Sequence, residues 1–282
     1  MPDEPAVAIE LQRVLDVVRE NISYLRATTE EVTTVVPGTA VTDDGSFIAC
    51  DELIADGDWL GTVIARTGQQ IGTEDPMVAA SLFVQSYSYR VLTLAIACAT
   101  TCGVVPDSSA ASMAIGLKGG RVSQIAYTRP AILVLDASGE SIATTLASPT
   151  KLESLFAYID EHAIDEHLAL LIDATRSRIR VGERLLWGNV AASMAVAFRT
   201  MEGTLGSWVQ DVGTYFVDHA PTPLQGLGSF LTVENEGRSG WFWERTNCCL
   251  YDRLPGDIRC SDCSRTAKDV RRSAYRTSLE GS

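Results

Sequence analysis

The sequence predicts a mainly α-helical protein with a small antiparallel β-sheet, an α+β body followed by a small C-terminal cysteine-rich segment. Three observations carry that expectation. Long apolar stretches with helical spacing fill much of the chain, short β-branched runs separated by turn residues occupy its middle, and four of the seven cysteines fall within 248–263. With 282 residues and 46% hydrophobic content, the chain can bury a sizeable core.

Taken in order, Val7, Leu11, Leu15 and Val18 share one helical stripe and predict an N-terminal helix within about 5–30. Asp75 before Pro76 reads as a cap and first helical position. The helix it opens is apolar nearly all round until Gly103 ends it and Pro106 bars its return. Segments 122–127, 131–136 and 141–145 read as short strands, with Ser138-Gly139 as a turn, whereas Gly116-Leu-Lys-Gly119-Gly120 reads as a turn and not a phosphate loop. Leu152, Leu155, Phe156 and Ile159, then Leu168, Leu171, Ile172, Thr175 and Ile179, predict helix on either side of a kink near Ala163. A further buried helix begins near Arg184. Between 220 and 240 the texture turns to Pro, Gly and Ser, which places a boundary between a helical body, 1–240, and a C-terminal segment, 241–282. Residues 240–246 carry a strand pattern.

The formal charge of −13 argues against nucleic acid as a main partner, because phosphate neutralisation needs a basic surface. From Arg245 onward eight Arg and Lys oppose five Asp and Glu, net +3, so the preceding residues carry −16. A basic rim there could steer an acidic electron donor or an anionic metal complex, or could be the solvated face of a terminal helix bearing Lys268, Arg271, Arg272 and Arg276. The start, Met1-Pro2-Asp3-Glu4-Pro5, lacks a basic and an apolar region of the secretory kind. The apolar runs at 91–105 and 185–198 fall short of the roughly 20 residues of a membrane span. A cytoplasmic protein without stable membrane insertion is expected.

The four cysteines are spaced C-C-x10-C-x2-C: Cys248, Cys249, Cys260 and Cys263. Thiolates this dense, with no export signal, point to a soft metal centre. Cys260 and Cys263 form one knuckle of the kind zinc ribbons use in pairs. Cys248 and Cys249 are adjacent, and in extended backbone neighbouring side chains point to opposite faces. An iron-sulfur centre relaxes that demand, while a kinked backbone would leave room for zinc. Arg245 and Asn247 are candidate donors to the centre's sulfurs. Trp241 and Trp243, with Phe242 and Tyr251, read either as a ligand-binding wall in which Arg245 or Arg253 holds an anionic group, or, as the favoured reading, as packing that docks the segment on the body. Cys50, Cys98 and Cys102 read as core cysteines, and His162, His167 and His219 lack a ligand's spacing.

The run 241–263, above all Cys248-Cys249, Arg253-Leu254-Pro255-Gly256, Cys260 and Cys263, resembles the cluster-binding segment of the FhuF-type ferric-siderophore reductases. Looser similarity lies in Asp75-Pro76-Met77-Val78-Ala79-Ala80-Ser81-Leu82-Phe83, in Gly103-Val104-Val105-Pro106-Asp107 and in Arg184-Leu185-Leu186-Trp187-Gly188-Asn189-Val190-Ala191, so the resemblance spans roughly 50–265. Ser264 stands where that family leads one to expect proline. The resemblance implies that Cys248, Cys249, Cys260 and Cys263 hold a [2Fe-2S] cluster that passes one electron to the iron of a ferric siderophore, in a cytoplasmic oxidoreductase. Such chemistry needs an external donor such as a ferredoxin or its reductase. Two other readings remain, an iron-sulfur sensor or electron carrier and a structural zinc protein.

Overall fold

In the computed structural model, which describes residues 4–38, 46–119, 121–135, 140–256 and 259–280, helices surround one central helix and small sheets cap the body. The element order is α1 (Glu4–Asn21), β1 (Ala27–Thr28), β2 (Phe47–Ala49), α2 (Cys50–Ala55), α3 (Gly57–Ile71), α4 (Pro76–Cys102) and β3 (Val104–Pro106). Next come β4 (Met113–Lys118), β5 (Arg121–Tyr127), β6 (Ile132–Val134), α5 (Ile142–Thr145), α6 (Pro149–Ile159), a π-helical stretch (Asp160–Ala169) and α7 (Leu170–Arg178). The chain closes with α8 (Glu183–Leu205), α9 (Trp208–His219), β7 (Gly228–Asn235), β8 (Arg238–Arg245) and α10 (Lys268–Glu280).

α4 is the spine. Asp75 accepts a hydrogen bond from the Met77 amide, Pro76 needs no partner for an N–H it lacks, and Gly103 ends the helix at φ +68°. α1, α3, α8 and β5 all pack on it, which is why it is apolar on every side. By length and composition alone α4 could cross a membrane, but 72% of its most apolar window is buried within the protein, as a core helix requires.

The sheets depart from the sequence expectation in three places. The main sheet has the order β1-β5-β4-β2, with β1 parallel to β5 and the other pairs antiparallel. Its strand β4 runs through the Gly116-Leu117-Lys118 stretch expected to be only a turn; five of its six residues are buried, so it shows no period-2 alternation. Segment 131–136 yields β6, which pairs with β3 rather than with 122–127. Segment 141–145 is helical, because the Ser141 hydroxyl caps it by accepting from the Thr144 amide. The expected Ser138-Gly139 turn lies outside the described residues. The kink near Ala163 is the π-helical stretch, and the N-terminal helix stops at Asn21 so that residues 27–28 can join the sheet. The 240/241 boundary falls inside β8, whose Trp241 and Trp243 belong to the main core.

Candidate metal centre

The cysteine segment rises from a hairpin. β7 and β8 pair Phe230 with Trp243 and Thr232 with Trp241, and Phe230 stacks on Trp241 with ring centroids 3.6 Å apart. The bare α-carbons of Gly213 and Gly228 accept the two indoles, since a Cβ at either would overlap them. Trp241 and Trp243 are 6% and 4% exposed, so they are packing and not a wall open to a ligand. On the hairpin's other face lies α10: Tyr275 stacks on Phe242 at 4.4 Å and donates to the Trp243 carbonyl at 3.0 Å, while Arg272 grips Glu244 with bonds of 3.1 and 2.9 Å. The bidentate arginine holds the Glu244 carboxyl below the usual carboxylate range. Arg253 ion-pairs with Asp75, the α4 cap, at 3.5 Å.

Beyond β8 the chain is fastened to α4 and α8 by a buried polar relay. Arg245 Nη2 donates to Asn189 Oδ1 at 2.8 Å, Asn189 Nδ2 donates to the Ser81 carbonyl at 2.8 Å and hydroxyl at 2.9 Å, and Ser81 Oγ donates to the Cys249 carbonyl at 2.7 Å. Asn247 sits on Gly188, where any Cβ would overlap its amide, and donates to the Leu185 carbonyl at 3.2 Å. It therefore anchors the loop and points away from a role as a sulfur donor.

Leu250 then adopts φ +66°, a left-handed conformation uncommon for a branched side chain, and its amide donates to Cys248 Sγ at 3.3 Å. The chain thus turns just past the vicinal cysteines, and the Cys248 thiol also reaches Asp252 Oδ1 at 3.5 Å. Cys249 Sγ and Cys260 Sγ stand 3.6 Å apart, and the Cys263 amide donates to the Cys260 carbonyl at 3.1 Å, closing the C-x2-C turn. Cys249 and Cys263 are buried, and none of the seven cysteines forms a disulfide. The Cys249–Cys260 contact lowers the Cys249 thiol to about 6, helped by the Arg245 charge and opposed by burial, and raises Cys260. Among the described residues no three His, Cys, Asp or Glu side chains already converge on a single ion.

Two arginines beside these sulfurs test whether the segment suits an anionic centre. Arg245 and Arg271 are 2% and 4% exposed, and each leaves a buried Nε–H without a partner. Arg271 Nη1 reaches the Asp262 carbonyl, next to Cys263, at 3.3 Å. Buried cations with spare donors call for a negative group, and four thiolates around a soft metal supply one. The residues fit such a group.

The remaining candidates lie elsewhere. Cys50 and Cys98 are fully buried with thiols raised by burial, Cys50 to about 12, as core residues would be. His167 is buried between Tyr87 and the Ser108 carbonyl, His162 faces Glu166, and His219 stacks on Tyr215. Sequence reasoning missed Ser81 and Asn189 as the fastening of the loop. Both lie in helix interiors, and a polar residue at an otherwise apolar helical position was the signal.

The helical body with its capping sheets is a fold shared with a siderophore-biosynthesis enzyme. The ATP-bound aerobactin synthetase IucA from a hypervirulent pathotype of Klebsiella pneumoniae superposes with a TM-score of 0.54 at 13% identity, covering 83% of this chain and 45% of that one. A second IucA structure from the same pathotype gives 0.54 at 14% identity, over 92% and 48%. The chain thus spans less than half of either synthetase. No curated protein matches. The profile of the family described as "Ferric iron reductase FhuF-like transporter" matches residues 81–232, more than half of the chain, and stops before the four cysteines. The chain belongs to this FhuF-like ferric iron reductase family.

Proposed function

We propose that the protein is a ferric-siderophore reductase in which Cys248, Cys249, Cys260 and Cys263 hold a [2Fe-2S] cluster. The observation that carries the reading is the cysteine pair in contact on a loop bolted to the family's own core helices. Two thiolates on one tetrahedral metal, each about 2.3 Å from it, stand about 3.8 Å apart, and Cys249 and Cys260 are at 3.6 Å. The Cys248 thiol takes the Leu250 amide at 3.3 Å and reaches Asp252 Oδ1 at 3.5 Å, and the C-x2-C turn joins Cys263 to Cys260. A two-iron body would take Cys249 and Cys260 on one iron and Cys248 and Cys263 on the other.

Bound there, the cluster would supply a single electron to siderophore-held Fe(III), and the hard oxygen donors of a siderophore grip the resulting Fe(II) far less. The protein's part is to fix the sulfurs, offset their charge with Arg245 and Arg271, and exclude water from Cys249 and Cys263. A ferredoxin or its reductase would replenish the electron in the cytoplasm, drawn by the exposed Lys268 and Arg276.

The test is direct. Purified protein should contain iron and acid-labile sulfide, absorb visible light, and bleach with dithionite. Cys260→Ser should lose the iron and Cys98→Ser should keep it. Reduced protein should be reoxidised by ferric siderophores faster than by buffer. A colourless, zinc-loaded protein overturns the reading.

A further inference from the structure

A cavity of about 250 Å³ opens between α3, α4 and α8. Its apolar wall is Ile71, Leu82 and Val196, the last 40% exposed at the rim; Tyr89 and Arg121 supply polar edges. Tyr251 closes one end, two residues past Cys249. The α4 residues on its wall, at positions 82, 85, 86 and 89, fall on one helical face. Ser81, which holds the Cys249 carbonyl, immediately precedes Leu82, the first of them. At a rise of 1.5 Å per residue, the cavity runs along α4 from beside the cysteine loop to about 12 Å away. A metal complex seated there is near enough for direct single-electron exchange.

The lining contains a cation, Arg121, and no acidic residue, in a chain whose net charge is −13. Arg121 forms no ion pair among the described residues. A guanidinium at the mouth of an apolar cleft matches a carboxylate on a hydrocarbon arm.

We propose that this cavity receives the ferric chelate, and that it selects chelates bearing a free carboxylate, which pairs with Arg121 while the hydrocarbon arms lie along Ile71, Leu82 and Val196. The proposal rests on the reductase reading for its iron and adds the site and the ligand class. One electron passes from the reduced centre to the bound Fe(III), which leaves as Fe(II); dithionite replaces that electron in the assay.

Two arms separate the proposal from the reading beneath it. Binding is measured by calorimetry with a redox-inert Ga(III) tris-hydroxamate that carries a carboxylate, and with its methyl ester. Wild-type protein should prefer the acid by about tenfold or more. Arg121→Gln should erase that preference, and Val196→Trp, which fills the cleft, should abolish binding of both. Arg121 is exposed, so its variant tests the site without burdening the fold. Equal binding of acid and ester by wild type, or wild-type affinity in Val196→Trp, overturns the proposal. The second arm follows reoxidation of dithionite-reduced protein by the Fe(III) acid chelate and by ferricyanide. If the chelate oxidises Val196→Trp as fast as wild type, the cavity is wrong and the reductase stands. If it fails to oxidise wild type while the Ga(III) form binds, the reductase reading is what falls. Ferricyanide should oxidise both proteins alike.

Discussion

Ser81 Oγ lies 2.7 Å from the Cys249 carbonyl oxygen, a hydrogen bond that joins the first turns of the central helix to the cysteine loop across 168 residues of sequence. Ser81 is fully buried, and Asn189, equally buried, bonds to it and to Arg245. The loop is therefore held by the interior of the body and not by its surface.

Breaking that relay should loosen the centre before it unfolds the protein. Ser81→Ala leaves a carbonyl without its donor, a loss of about 1–3 kcal/mol. Asn189→Leu also strips Arg245 of its closer acceptor, leaving only the Gly188 carbonyl at 3.3 Å, and should cost more, about 3–5 kcal/mol. Thermal melts rank the two variants, and iron retention under a chelator should fall in both. Wild-type iron retention in Asn189→Leu would contradict the anchoring role.

Arg271 offers a second test, through electrostatics. A buried positive charge beside an anionic centre favours an added electron, so Arg271→Gln should move the midpoint potential to more negative values, while Arg271→Lys should largely restore it. A spectroscopic redox titration reads the shift. An unmoved potential in the Gln variant would mean that this guanidinium serves the fold alone.

Acid should destabilise the body through His167. Its Nδ1–H donates to the Ser108 carbonyl at 2.6 Å, so Nε2 is left to accept from the Tyr87 hydroxyl at 2.7 Å, and burial lowers the ring to about 4. The unfolded chain takes up its proton near pH 6.5. Stability is therefore lost as pH falls from 6.5 toward 4, by about 3 kcal/mol in all. Asp160, raised to about 7 by burial, works the other way over the same range, and being partly exposed it offsets only part of the loss. Urea melts at pH 7 and pH 4.5 measure the net slope. His167→Gln should flatten it, and an unchanged slope in that variant would assign the effect to other groups.

What the sequence made legible was local. Asp75, Pro76 and Gly103 bound α4 because capping and left-handed turns are decided within a few residues, and the C-x2-C spacing closes its own short turn for the same reason. Contacts made at a distance were not legible. β1 is two residues long and exists only because β5 lies beside it, so no periodicity could mark it. β4 is buried along most of its length and shows no alternation, and Ser141 turned a β-branched run into a helical turn through one side-chain bond. The aromatic run 241–243 read more readily as packing than as wall, and Gly213 and Gly228 opposite the indoles supply the partners that reading lacked. The arginines of α10 read as a steering rim or a solvated face, yet Arg271 is buried and Arg272 is paired, because the hairpin they meet lies outside their own helix.

The frame around the four sulfurs, from the Tyr275–Trp243 and Arg272–Glu244 bonds on one side to Ser81 and Asn189 on the other, contains no sulfur of its own. The seat should outlast its occupant. If the proposed cluster is bound there and lost to oxidation, it should be rebuilt in place with no need to refold the chain, and a well-shaped but pale preparation free of zinc should regain its colour on adding iron and sulfide.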